Sequence, residues 1–107
     1  MKESPKAPEN LKEAGKAFWE KVHGDFILEH GHDLTRLEQA CACLDTISDA
    51  EAVVREQGLF QTDRYGQVKP HCALNVIRDN RILFLRAVRE LGLDLIEAPD
   101  SRLPGRY

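Results

Sequence analysis

Apolar residues recur along this chain at alternating spacings of three and four, the signature of amphipathic helices that each bury one stripe. Leu11, Gly15, Phe18, Val22 and Phe26 follow that rule, with Trp19 beside the stripe, and predict a first helix from about Glu9 to Leu28. Leu34, Leu37, Cys41, Leu44 and Ser48 repeat it, so a second helix is expected to pack antiparallel on the first as a hairpin within residues 9–57. His30-Gly31-His32 reads as the corner between them, with Gly31 in a left-handed cap and Asp33 placed to cap the second helix. Ser48 with Glu51 forms a potential capping box where that helix could kink or restart, and Gly58 ends it.

Beyond Gly58 the pattern changes. Leu59-Phe60-Gln61-Thr62 and Val68-Lys69 are short extended segments around Asp63-Arg64-Tyr65-Gly66, where Gly66 can supply the positive φ of a tight turn. A β-hairpin over 59–70 is expected, followed at Pro70 by an abrupt turn into a helix over 73–91. That helix is apolar on more than one side. Ala73, Val76, Ile77, Leu83, Phe84, Ala87, Val88 and Leu91 form a broad core face, while Leu74, Ile82 and Leu85 fall opposite, among arginines. The second stripe points to a subunit interface, to which Trp19 is added as a core or interface residue. The expected fold is mainly α, one domain over residues 9–92, between a mobile tail at 1–8 and an extended tail at 93–107.

With 107 residues, 42% of them hydrophobic, the core is thin enough to gain from partner subunits. No apolar run approaches the roughly 20 residues of a membrane span, and the first residues lack a signal peptide's apolar core, so a cytoplasmic protein is expected. The net charge is −3 but unevenly placed. Residues 63–89 hold six basic against two acidic residues, and residues 32–58 hold two basic against six acidic. Such a division suits a polyanion at one end, or the basic face of one subunit against the acidic face of the next.

Cys41, Cys43 and Cys72 leave an odd count without Cys-x-x-Cys spacing, and so are expected to be thiols rather than a disulfide framework. His30-x-His32 with Cys41-x-Cys43, and His71-Cys72, offer metal-ligand types, but Cys41 and Cys43 point about 200° apart on one helix and cannot aim at one ion. No phosphate-binding Gly-x-x-x-x-Gly-Lys-Ser/Thr loop and no paired carboxylates in a strand pattern are present, so no catalytic site, cofactor or metal is expected.

The block Thr62-Asp63-Arg64-Tyr65-Gly66-Gln67-Val68-Lys69-Pro70-His71, running into the arginine-bearing stretch 75–91, resembles the signature of the bacteriophage terminase small subunit. The order and spacing of Ala7-Pro8-Glu9-Asn10-Leu11, Gly15-Lys16, Phe18-Trp19, Asp33-Leu34, Leu37, Glu56-Gln57-Gly58-Leu59, Arg78-Asp79 and Leu91-Gly92-Leu93 extend the resemblance over most of the chain. It implies a non-enzymatic protein of the host cytoplasm that assembles as a homo-oligomeric ring. It would bind double-stranded viral DNA at the packaging site and recruit it to the large terminase subunit, which carries the ATPase and nuclease. Arg64, Lys69, Arg78 and Arg81 lead the candidate DNA contacts, with Lys12 and Lys16 second and Tyr65 as a stacking residue, while Leu74, Ile82, Leu85 and Trp19 are the candidate oligomer interface. Each basic residue has the alternative of a surface salt bridge or subunit contact. The alternative for the whole protein is an adaptor that binds proteins and never touches DNA.

Overall fold

The computed structural model describes residues 5–28 and 30–93. Three helices and one β-hairpin follow in chain order: α1 (Glu13–Asp25), α2 (Gly31–Gln57), β1 (Phe60–Thr62), β2 (Val68–Pro70) and α3 (Ala73–Leu91). The mainly helical class and the hairpin-plus-helix arrangement expected from the sequence are present. So are the limits of α3 and the positive φ of Gly66 at 83°.

α1 is shorter than its apolar stripe. A turn closed by Leu11 N–H on the Pro8 carbonyl (3.2 Å) keeps residues 9–12 out of the helix. The helix starts where a distant residue satisfies its first amide groups. Asp45, on α2 and 7% exposed, accepts the N–H of Lys12 and of Gly15, both at 2.7 Å. These are the donors of the N-cap and of the third helical residue that a local capping box would take, and a carboxylate there also suits the positive end of the helix dipole. Gly15 is what lets the two helices approach, because a Cβ on it would stand 2.6 Å from Asp45 Oδ2 and 2.8 Å from the Cys41 carbonyl oxygen. At the other end Gly24 weakens the helix and Phe26 is already extended, returning to the core while Ile27 is 84% exposed.

α2 is continuous for 27 residues, so Ser48 and Glu51 make no break. Gly31 is its first residue rather than a left-handed cap. His30 is the N-cap, without a side-chain bond, and Asp33 sits in the first turn, where its charge suits the dipole. Gly58, at φ 91°, ends the helix as expected. Along one flank of α2, Leu37 and Cys41 face Trp19 and Val22 of α1. Along another, Ile47 and Ala50 face Ala73 and Ile77 of α3. Ser48, expected on the stripe, is exposed.

α1 therefore covers only the first half of α2, together with the end of α3, where Phe18 meets Phe84 edge to face at 5.1 Å. The remaining half is a two-helix layer with the hairpin attached. Both tails differ from expectation near the core. Ala7 packs on it, the Trp19 indole N–H donates to the Pro5 carbonyl at 3.0 Å, and Leu93 is buried. Residues 1–4 and 94–107, read from the sequence as tails, lie outside the described residues.

Asp45→Ala strands two amide groups and should cost about 2–3 kcal/mol in urea unfolding. Gly15→Ala should cost about 1–3 kcal/mol by forcing α1 away from the Cys41 carbonyl. Since both act on one contact, the double variant should lose less than the sum. Full additivity would mean that the two residues do not share it.

Candidate nucleic-acid interface

Two strands of three residues with every position exposed cannot hold themselves together by burial. Polar bonds at base and tip do so instead. At the base, His71 is 5% exposed and joins three elements. Its N–H donates to the Leu59 carbonyl at 2.7 Å, extending the ladder whose register pairs Phe60 with Pro70 and Thr62 with Val68. Its Nδ1 accepts the Ala73 N–H at 3.0 Å, which leaves Nε2 to donate to Gln57 Oε1 at 2.7 Å, tying the start of α3 to the end of α2. Gln61 Oε1 accepts the Cys72 N–H at 2.9 Å. Sequence reading used His71 as a motif residue and missed this role; the signal was a histidine between Pro70 and the first helical residue.

At the tip, Asp63 Oδ1 accepts the N–H of Tyr65 (2.8 Å) and of Gln67 (3.0 Å), while Asp63 Oδ2 lies 3.2 Å from Lys69 Nζ. The Gln67 N–H bond above all, with those to Tyr65 and Lys69, holds the Asp63 carboxyl below its ordinary pKa against the opposing effect of burial. Between these anchors stand Arg64 and Tyr65, the guanidinium 5.5 Å from the ring centroid and the ring 77% exposed. The tip thus presents one cation and one aromatic ring on a turn fixed by its own hydrogen bonds.

The other candidates do not gather there. Arg78 and Arg81 lie on α3, about 60° apart around the helix. Arg81 bonds Glu51 at 3.0 Å and Arg78 bonds the adjacent Asp79 at 3.3 Å. Lys12 binds Asp49 at 2.6 Å, a hydrogen bond that is the main reason its pKa is raised. Asp49 and Glu51 point about 200° apart on α2, so Lys12 and Arg81 lie on different flanks of the protomer. Four of the six cationic candidates, Lys12, Lys69, Arg78 and Arg81, thus carry a carboxylate partner. Arg64 and Lys16 have none within 4.0 Å among the described residues, nor do Arg86 and Arg89 on α3, which sequence reading did not single out.

The candidate interface residues divide as well. Trp19 is 4% exposed and belongs to the protomer's own core, so it offers no surface to a neighbour. Leu74 is half-buried against the cluster of Ile47, Ala50, Ala73 and Ile77. Ile82 and Leu85 are 50% and 57% exposed as expected. Val76 and Leu83, assigned to the core face, are instead exposed, because α1 reaches Phe84 and Val88 but not that flank. Leu83 there borders an open groove with Arg36, Cys43 and Arg86.

Among the described residues no three His, Cys, Asp or Glu side chains are placed to hold a metal ion. Cys41 is fully buried, and burial, with Asp45 and Glu38 nearby, pushes its thiol up to about 12. Cys43 is half-buried and raised by burial, and Cys72 is exposed. No helix among the described residues is long and apolar enough to cross a membrane. No family model matches this chain, and neither a curated protein nor a solved structure matches it.

Two outcomes check this geometry. The Tyr65 and Gln67 amide resonances should titrate together with a midpoint below 3.8, the ordinary value of the Asp63 carboxyl. The carboxylate's hold on the tip is complete above the ordinary value and is lost as pH falls through the lowered folded one. Asp63→Asn should abolish the transition, and a midpoint at or above 3.8 would mean that the carboxylate is unbound. Thiol labelling at about pH 8 should modify Cys72 first, Cys43 slowly and Cys41 only on unfolding.

Proposed function

We propose that this chain is a non-catalytic, homo-oligomeric DNA-recruiting subunit of the terminase small-subunit type. Acting in the host cytoplasm, it binds the phage genome at its packaging site and passes it to the large subunit. The observation that carries the reading is the hairpin tip, where Arg64 and Tyr65 project on a turn ordered by Asp63 and anchored through His71. A prepositioned cation and ring lose little conformational entropy on meeting a phosphate and a base. One tip is a weak ligand. Repeated around a ring it becomes a strong one, which reconciles DNA binding with a net charge of −3.

Self-assembly is supported by apolar surface that the protomer leaves open, namely Phe60 and Val68 on one face of the hairpin and Val76 and Leu83 on α3. Within the DNA-contact set, Arg64, Tyr65 and Lys16 come first. Lys12, Lys69, Arg78 and Arg81 follow, because phosphate must displace a carboxylate from each. Those exposed pairs are individually weak, so the exchange costs little.

The same pairing favours a second reading, an adaptor whose cations serve internal and protein contacts alone. Duplex DNA binding measured across a salt series separates the two. The DNA reading expects affinity that falls steeply with salt, a shallower slope for Arg64→Glu, and a closed oligomer by light scattering. Binding that is absent, or indifferent to both salt and Arg64, would leave the adaptor.

A further inference from the structure

α3 has a second seam. Asn75, Arg78, Ile82, Leu85 and Arg89 follow one another at spacings of three and four on the side turned away from α2, and all five are exposed. Ile82 and Leu85 form an apolar centre, and Arg78 and Arg89 stand one turn beyond it at either end. Asp79 beside the seam meets Arg78 at 3.3 Å, while Arg86 and Arg89 have no carboxylate partner among the described residues. We infer that this seam is the docking site for an acidic amphipathic helix of a different protein, one with two apolar residues flanked a turn away on each side by carboxylates.

The choice of occupant follows from charge and from what the chain itself exposes. A second α3 is disfavoured, because the antiparallel register that pairs Ile82 with the other copy's Leu85 sets Arg78 against Arg89, and a parallel register sets each arginine against itself. The other helices of a second copy do not fit either. Among the described residues, neither α1 nor α2 exposes a large apolar side chain. A DNA backbone would meet the arginines but give the two apolar side chains no counterpart. A helix with the complementary pattern satisfies both, burying Ile82 and Leu85 at the centre and pairing the ends. The inference stands independently of DNA binding at the hairpin.

The test uses the whole chain and an alanine-based helical peptide of about 20 residues carrying Glu, Leu, Leu and Glu at spacings of four, three and four. A control peptide of the same composition has its leucines moved to the opposite face. Fluorescence anisotropy should show binding of the first peptide, weakened about tenfold or more by Leu85→Ser and by Arg89→Glu, and unaffected by Arg64→Glu. Replacing only the peptide glutamate that faces Arg89 by lysine should restore binding to Arg89→Glu. All these positions are exposed, so the variants keep the fold. Three results overturn the inference: the two peptides bind alike, neither binds, or the seam variants alter only duplex affinity or only the mass of the oligomer. The last would assign the seam to DNA or to a second copy.

Discussion

The grip of Asp45 on the first turn of α1 decides what the rest of the chain can bury. A carboxylate inside the protomer is tolerated because two amide groups that a helix start cannot satisfy by itself converge on it, and because Gly15 removes the side chain that would keep them apart. That contact sets where α1 begins and which flank of α2 it covers. Since α1 has only 13 residues, it completes a three-helix core at one end and leaves the other end two layers deep. The exposed hairpin and the open flank at Val76 and Leu83 both follow from where α1 stops.

The thin end is held by polar bonds rather than by packed volume. His71 takes part in four hydrogen bonds that reach the end of α2, the start of the hairpin and the start of α3, so the hairpin is fixed to two helices although none of its six strand residues is buried. The charge division behaves in a related way. Three of the six acids of α2 act within the protomer, Asp45 on backbone amides, Asp49 on Lys12 and Glu51 on Arg81. Half of the acids of α2 therefore serve as internal glue, and among the described residues Arg64 at the hairpin tip, Arg86 and Arg89 on α3 and Lys16 on α1 are left without a carboxylate partner.

What could be read from the sequence was whatever a local pattern encodes. The limits of α3, the stop at Gly58 and the turn at Gly66 depend on neighbours a few residues away, and they stand as expected. The start of α1 depends on a residue 30 positions further on, and no window along the chain contains it. Gly31 looked like a cap because it sits between two helical stripes, yet the helix absorbed it, and only the tertiary position of α1 determines where the corner falls. Val76 and Leu83 satisfied the spacing of a core face and are nonetheless exposed. Periodicity shows that a side is apolar but not that a neighbouring element is long enough to cover it. Trp19 erred in the other direction, and its burial depends on the carbonyl of Pro5 and on Leu93 as much as on its place beside the stripe.

The internal ion pairs also bear on how a DNA contact of the proposed kind would work. Lys12, Lys69, Arg78 and Arg81 each sit against a carboxylate at the surface, where water and salt leave such a pair close to neutral in free energy. Exchanging the carboxylate for a phosphate gains little per contact and also frees a negative charge that repels the strand. Under the proposed function a single protomer would bind DNA weakly, with Arg64, which has no carboxylate partner among the described residues, as its leading contact. On that proposal affinity would depend on the number of tips that engage one duplex together, and a change that weakens assembly would lower DNA affinity without touching a single basic residue. Within the proposed function, the apolar surface of the hairpin and α3 and the cation at the tip would be parts of one device, and neither would account for binding without the other.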